Sequence, residues 1–306
     1  MALQSLFVSL RDALSAVYPP GEARAVAFLL FEEGFGVSRT DIYADKVRDF
    51  SQAETARLRD MSARLVAGEP VQYVLGHAVF CSRRFKVTPA VLIPRPETEE
   101  LVEWAVASAR ETGSGGTAGE GLSVLDAGTG SGCVAVSLKA ELPGAEVEAW
   151  DISLEALTVA RENAAVLGAD VRFLEKDMLR PWTEGGSADG GRGTRRFDLV
   201  VSNPPYICER ERSEMEPLVT DNEPARALFV PDGDPLLFYR ALCDGAALCL
   251  RPGGRLLVEA NRAYARDTAE LFRRRGFVGV EVRRDAYGNE RMVGGTLPGD
   301  VHEKEK

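Results

Sequence analysis

The stretch Val124-Leu125-Asp126-Ala127-Gly128-Thr129-Gly130-Ser131-Gly132 runs an apolar strand into a glycine-spaced turn, and a helical pattern opens at Cys133. Glycines let the backbone turn sharply and bring it close to a ligand at the carboxyl end of a strand, where doubly wound sheets place their sites. Gly128, Gly130 and Gly132 make G-x-G-x-G. A dinucleotide fingerprint needs G-x-G-x-x-G, and Cys133 stands where its third glycine would fall. The spacing therefore predicts a nucleoside ligand without a pyrophosphate rather than NAD.

Outward from this turn, β-prone runs alternate with helix-length segments. Candidate strands are Ser123–Asp126, Val147–Asp151, Val171–Leu174, Phe197–Ser202, Arg255–Glu259, Val278–Arg283 and Arg291–Gly294, with helices such as Leu154–Leu167 and Leu236–Leu250 between them. That alternation predicts an α/β fold, a mostly parallel sheet with helices on both faces. The last two strands are joined only by Asp285-Ala286-Tyr287-Gly288-Asn289, enough for a hairpin turn and too little for a crossover helix, so one antiparallel strand is expected. Two glycine-rich stretches, Thr112–Gly121 and Gly185–Gly193, read as surface loops.

Toward the N-terminus the pattern is helical. Leu6, Leu10, Leu14 and Val17, then Val26, Leu29 and Leu30, then Leu58, Met61, Leu65 and Val66 fall at helical spacing, and Ser51 with Glu54 forms a capping-box pattern. Between this region and Pro94, the runs Tyr73-Val74-Leu75, Ala78-Val79-Phe80, Phe85-Lys86-Val87 and Val91-Leu92-Ile93 are broken by Gly76 and Pro89, which predicts a hairpin connector. The divisions expected are a helical domain over 1–71, the connector over 72–94, an α/β domain over 95–300 and a tail over 301–306.

The chain has 306 residues, enough for two domains, with 45% hydrophobic and 27% charged residues, which excludes a disordered or collagenous chain. Its 47 acidic against 37 basic residues give a net charge of −10, the wrong sign for a protein held mainly by phosphate contacts, so no direct nucleic-acid partner is expected. The cysteines Cys81, Cys133, Cys208, Cys243 and Cys249 form no CxxC pair and read as reduced thiols in the cytoplasm. No signal-peptide pattern and no long apolar run predicts export or membrane insertion. With only His77 and His302 present, neither a histidine-dependent triad nor a metal site is expected.

Other strand ends carry candidate chemistry. Asp151 closes the second strand, placed to accept hydrogen bonds from two ribose hydroxyls, and Asp177 follows the third, within reach of an adenine amino group. Either alone reads equally as a cap or turn former. The sharpest signal is Ser202-Asn203-Pro204-Pro205-Tyr206 after the buried-looking run Phe197-Asp198-Leu199-Val200-Val201. Asn-Pro-Pro is also a strong turn signal. Yet the segment falls on the same sheet edge as the glycine turn, where the chemistry makes sense. An amide nitrogen is a poor nucleophile because its lone pair is delocalised. The Asn203 side-chain oxygen and the Pro204 carbonyl can accept both N–H bonds of a substrate NH₂, orienting its lone pair and stabilising the positive charge that develops on nitrogen. Proline at 204 and 205 restricts the backbone and removes competing donors, and Tyr206 can stack on a planar group.

Together, D-x-G-T-G-S-G, an acidic strand end and N-P-P-Y resemble the class I S-adenosylmethionine-dependent methyltransferases that modify planar NH₂ groups. Within them, Val91-Leu92-Ile93-Pro94-Arg95-Pro96-Glu97-Thr98-Glu99 and Gln72-Tyr73-Val74-Leu75-Gly76 with Phe80 and Phe85 resemble the PrmC/HemK family, the peptide chain release factor glutamine methyltransferases. The resemblance runs to Arg291-Met292. It implies a Rossmann-like, seven-stranded, mostly parallel methyltransferase sheet with a small N-terminal all-α domain. It implies transfer of a methyl group from S-adenosyl-L-methionine, leaving S-adenosyl-L-homocysteine, to the side-chain amide nitrogen of the Gly-Gly-Gln glutamine in bacterial class I release factors. It also implies that Gly128, Thr129, Gly130, Ser131 and Gly132 line the methionine part of the cofactor, Asp151 holds the ribose, and Asp177 and Met178 hold the adenine. Asn203, Pro204, Pro205 and Tyr206 would hold the glutamine, Asn203 also touching the cofactor, and Glu97 and Thr98 would help close the cofactor site. The helical domain is where that family docks its partner, and a monomer is expected.

Two departures stand out. The family commonly shows E-I-G-x-x-Q after the fifth strand, where this chain has Glu259-Ala260-Asn261-Arg262, and Met178 replaces a common aromatic residue. The competing readings are a ribosomal-protein glutamine methyltransferase, a nucleic-acid adenine methyltransferase, and a non-catalytic binding protein on the same fold. The first usually departs from the E-T-E that Glu97-Thr98-Glu99 matches. The second should carry a basic recognition region.

Overall fold

A computed structural model describes residues 2–112, 117–182 and 197–299. The stretch Gly185–Gly193, part of Thr112–Gly121 and the tail from His302 lie outside the described residues. In chain order the elements begin with α1 (Leu3–Leu14), α2 (Pro20–Phe35), α3 (Arg39–Tyr43), α4 (Gln52–Val66) and α5 (Val71–Leu75). Then come β1 (His77–Phe80), β2 (Arg83–Lys86), α6 (Pro96–Thr112), β3 (Ser123–Ala127), α7 (Cys133–Glu141), β4 (Glu146–Asp151), α8 (Leu154–Leu167) and β5 (Val171–Glu175). The chain continues with β6 (Phe197–Ser202), β7 (Ile207–Cys208), a 3₁₀ turn at Glu209–Glu214, α9 (Pro217–Thr220), α10 (Ala225–Leu228) and β8 (Phe229–Val230). It closes with α11 (Leu237–Cys249), β9 (Leu250–Glu259), α12 (Ala265–Arg274), β10 (Val278–Arg284) and β11 (Glu290–Thr296).

These elements divide into two compact units, one of Met1–Ala78, Val87–Pro89 and Glu216–Asn222, the other of the remaining residues. The first has its own helical core, in which Phe7 stacks on Phe28 with ring centroids 4.4 Å apart and Leu14, Leu30, Phe31 and Leu65 are sealed from solvent. The capping box at α4 forms as its sequence predicts: the Glu54 N–H donates to Ser51 Oγ at 3.1 Å and the Ser51 N–H to Glu54 Oε2 at 2.9 Å. Ser38 and Asp41 make a second box at α3. Val66, grouped with the apolar face of α4, is instead exposed.

The connector differs from its sequence reading. Tyr73-Val74-Leu75 lies in α5 rather than a strand, between Pro70 at its start and Gly76, whose φ of 77° stops it. Burial of Val71, Tyr73 and Val74 in the first unit overrides their strand preference. β1 and β2 pair as expected, joined by Cys81 and Ser82, both at positive φ as a type I′ turn requires. Val91-Leu92-Ile93 forms no strand: Val91 and Ile93 are buried, and the Ile93 N–H is satisfied by Glu223 Oε2 at 3.1 Å instead of a neighbouring strand.

The second unit is built on a seven-stranded sheet in the order β10-β11-β9-β6-β3-β4-β5. Pairings from β9 through β5 are parallel, and β11 runs antiparallel to both β9 and β10, as the short link after Arg284 requires. Side chains alternate between faces: Val124, Val147, Leu199 and Leu257 pack with α6 and α7, and Leu125, Trp150, Val200 and Leu256 with α11 and α12. The order reverses between β6 and β3, the crevice where open α/β sheets bind ligands.

This packing tolerates no added bulk at Gly294. A Cβ there would sit 2.4 Å from Trp104 Cη2 and 2.6 Å from Leu257 Cδ2. Gly294→Ala is expected to destabilise the protein by about 1–3 kcal/mol, read as a lower denaturant midpoint at unchanged slope.

Candidate active site

A cavity of about 360 Å³ opens at the carboxyl edge of the sheet, wholly within the second unit and of a size suited to a small molecule. Of the sequence-predicted residues, Thr98, Gly128, Thr129, Gly130, Ser131, Asp151, Asp177, Met178, Asn203 and Pro205 line it. Glu97, Gly132, Pro204 and Tyr206 do not. Thus the ends of β3, β4, β5 and β6 converge on one space, as the alternating pattern required.

The loop after β3 is held from behind. The Gly128 and Thr129 N–H groups both donate to the Trp150 carbonyl at 2.8 Å, and the Gly132 N–H to the Thr129 carbonyl at 2.9 Å. Gly128 has φ 82°, a conformation that favours glycine, and a Cβ on it would displace the Met178 methyl, 2.8 Å away. Gly132 turns the chain into α7 with φ 80°; its absent Cβ makes room for Ala160 at 3.0 Å. Asn163 braces the loop, donating to the carbonyls of Ser131 and Lys86 at 2.9 and 3.0 Å.

Beneath the loop, Asp126 accepts from Thr129 Oγ1 at 2.6 Å and from the Ala135 N–H at 3.1 Å, both on Oδ2. Burial pushes its carboxyl up to about 7, against those two donors. The folded chain therefore keeps a proton that the unfolded chain releases near 3.8, and this group's contribution to stability falls as pH rises from there through about 7. Asp126→Asn, which keeps the acceptor and cannot ionise, is expected to flatten that decline, measured as denaturant midpoints across the interval.

Asp151 faces the cavity from the end of β4. Its Oδ2 accepts from the Gly130 N–H at 2.8 Å and its Oδ1 from the Ser153 N–H at 2.9 Å. Burial raises its carboxyl above the ordinary value, opposed by N–H donors from Ser153, Gly130 and Ile152 and by the charge on Arg226. A carboxylate has about four acceptor sites, more than these N–H donors fill, so acceptor capacity remains for a ligand hydroxyl. Asp177 accepts from the Leu179 N–H at 2.9 Å and lies 3.7 Å from Arg180. Ile152 and Leu179 add apolar wall, and Arg95, Lys176 and Arg226 bring positive charge.

Beyond β6 the geometry turns on a carboxylate left out of the sequence-predicted set. Asn203 Nδ2 donates to Thr98 Oγ1 at 3.0 Å, Thr98 Oγ1 donates to Glu259 Oε2 at 2.6 Å, and the Tyr206 hydroxyl donates to Glu259 Oε1 at 2.9 Å. Glu259 is 1% exposed and Thr98 3%. Burial raises the Glu259 carboxyl, while both hydroxyls and the charge on Arg291 pull it down and the charge on Glu97 raises it. Burial and the Glu259 charge push Tyr206 well above its ordinary value, so it stays a donor. One signal for Glu259 was present: an acid ending the apolar run Leu256-Leu257-Val258 at the same edge as Ser202, its neighbour's partner in register.

A nucleoside-sized cavity, a glycine loop and an acid after successive parallel strands, and N-P-P-Y beside them define a class I methyltransferase fold. The hMettl16 catalytic domain shares that fold, with a TM-score of 0.50 and 14% identity over 82% of this chain and 84% of that one. The methyltransferase small domain model matches residues 117–239 and the PrmC N-terminal domain model residues 6–76. The release factor glutamine methyltransferase of Bacteroides thetaiotaomicron is 43% identical over 93% of this chain and 96% of its own length. That of Bordetella pertussis is 40% identical over 94% and 99%. The chain belongs to the release factor glutamine methyltransferase family.

Proposed function

We propose that the protein methylates the side-chain amide nitrogen of the glutamine in the Gly-Gly-Gln motif of class I release factors, using S-adenosylmethionine. The observation that carries this reading is a single cavity lined both by the Gly128–Ser131 loop with Asp151 and by Asn203 with Pro205. The residues present fit the cofactor: free acceptor capacity on Asp151, a wall at Gly128 left open by its absent side chain, and apolar cover from Met178, Ile152 and Leu179. When bound, the cofactor supplies a methyl group on a positively charged sulfonium.

The chain's own residues do the rest. Asp151 accepts from the ribose hydroxyls, Asp177 and Met178 hold the adenine, and Gly128, Thr129, Gly130, Ser131 and Gly132 carry the backbone past the methionine part. Asn203 Oδ1 and the Pro204 carbonyl accept the two N–H bonds of the glutamine amide and turn its lone pair toward the methyl group. Pro205 stiffens this turn, and Tyr206, anchored on Glu259, forms its far side. Placing two reactants in line is worth roughly 7–11 kcal/mol, so positioning supplies most of the acceleration. No general base is needed, because the amide nitrogen becomes acidic once alkylated and loses its proton afterwards. Glu97, off the cavity wall, adds its charge beside Glu259.

The helical unit is the docking surface for the release factor in this reading, and the monomer is the working form. Offering purified release factor, ribosomal protein and adenine-containing RNA in turn with labelled cofactor tests it. Label in the release factor alone is expected; label in either of the others would replace this reading with one of its competitors.

A further inference from the structure

A side-chain amide has an acceptor end and a donor end of nearly the same shape, and only one of them suits Asn203. Its role requires the oxygen to meet the two-proton end of the substrate amide. Turned over, it would present N–H to N–H. What fixes the choice is a one-way chain of hydrogen bonds. Glu259 is buried, and its two oxygens accept from Thr98 Oγ1 at 2.6 Å and from the Tyr206 hydroxyl at 2.9 Å. The single Thr98 proton is thereby spent on Glu259, so toward Asn203 the hydroxyl offers only a lone pair. Asn203 must answer with Nδ2, 3.0 Å away, which sends Oδ1 the other way.

We propose that Glu259, acting through the Thr98 hydroxyl, is the positioning residue that sets the orientation of the Asn203 amide. This rests on the assignment of Asn203 to the acceptor amide. Arg291, whose charge acts on both Glu259 and Tyr206 and which lies 3.4 Å from Asp285, supports the carboxylate from the last strand. The Tyr239 hydroxyl holds the Glu259 carbonyl at 3.3 Å. Thr98, expected from family resemblance to help close the cofactor site, lines the cavity while its hydroxyl proton goes to Glu259.

The test compares Thr98→Val, which keeps the shape and removes the hydroxyl, with Thr98→Ser, which restores it, and with Glu259→Gln, which can place a donor before Thr98. Two readouts are taken on the full chain: kcat and KM for release factor methylation, and the Asn203 side-chain amide signal in spectra of asparagine-labelled protein. Thr98→Val and Glu259→Gln are expected to lower kcat about 10- to 100-fold with KM little changed and to move the Asn203 signal, while Thr98→Ser stays close to wild type in both. A role in folding alone would lower the denaturant midpoint and the active fraction while leaving the Asn203 signal of the folded protein where it is in wild type. An Asn203 signal unmoved in Thr98→Val, with kcat as in wild type, would overturn the inference. Should wild type transfer no methyl to glutamine, the function proposed above fails, and the amide signal still decides the orientation.

Discussion

Asn203→Ala is expected to lower kcat for methyl transfer about 10²- to 10³-fold, the loss seen when one preorganised polar group aimed at developing charge is removed. The cofactor should bind nearly as before, because Asp151 and Asp177, the residues proposed to hold its ribose and adenine, stand at the ends of β4 and β5, away from this turn. Without the side chain the acceptor amide keeps one hydrogen bond, to the Pro204 carbonyl, and its lone pair is no longer held in line. The alanine also frees the Thr98 lone pair that now accepts from Nδ2, without disturbing the bond from Thr98 to Glu259. Turnover by Asn203→Ala equal to wild type, with both substrates saturating, would remove Asn203 from the chemistry.

Asp151→Ala should act on the other substrate. If Asp151 accepts from the ribose hydroxyls as proposed, two charge-assisted hydrogen bonds at about 1.5–3 kcal/mol each are lost, and cofactor Kd is expected to rise at least about 10²-fold. Part of that loss passes through the glycine loop, since the Gly130 and Ser153 N–H groups lose their acceptors together. Asp151→Asn keeps the shape but sets an NH₂ against one of those N–H donors, and it should weaken binding in the same direction. Calorimetry reads both variants directly, and an unaltered Kd in Asp151→Ala would take this residue out of the cofactor site.

Legibility in the sequence followed distance along the chain. The strand ends at Asp126, Asp151 and Ser202 and the turn at Asp285–Asn289 could be read because strand, turn and helix signals lie within a few residues of one another. Parallel order then carries all those strand ends to one edge without knowledge of a single contact. The misreadings at Tyr73-Val74-Leu75 and Val91-Leu92-Ile93 have the opposite origin. Both runs are β-prone, and both owe their conformation to partners supplied by tertiary structure: the helical core around Val71 and Val74, and Glu223, 130 residues beyond Ile93. The Thr98–Glu259 bond spans 161 residues and the Asn203–Thr98 bond 105, beyond any local pattern. The departure from the family pattern at Ala260-Asn261 adjoins Glu259, and the structure places that carboxylate at the centre of the polar network behind Asn203. Asn261 has its own place beside it, donating to the Tyr206 carbonyl at 3.2 Å.

The most direct measurement of the central claim is methyl transfer from labelled S-adenosylmethionine to a purified release factor, beside the same factor with Gly-Gly-Ala in place of Gly-Gly-Gln, followed by mass mapping of the product. One methyl group on the glutamine amide, and none on the alanine control, is the result expected. Label on both proteins alike, or on a residue outside that motif, would contradict the assignment of the Asn203 turn to a glutamine amide.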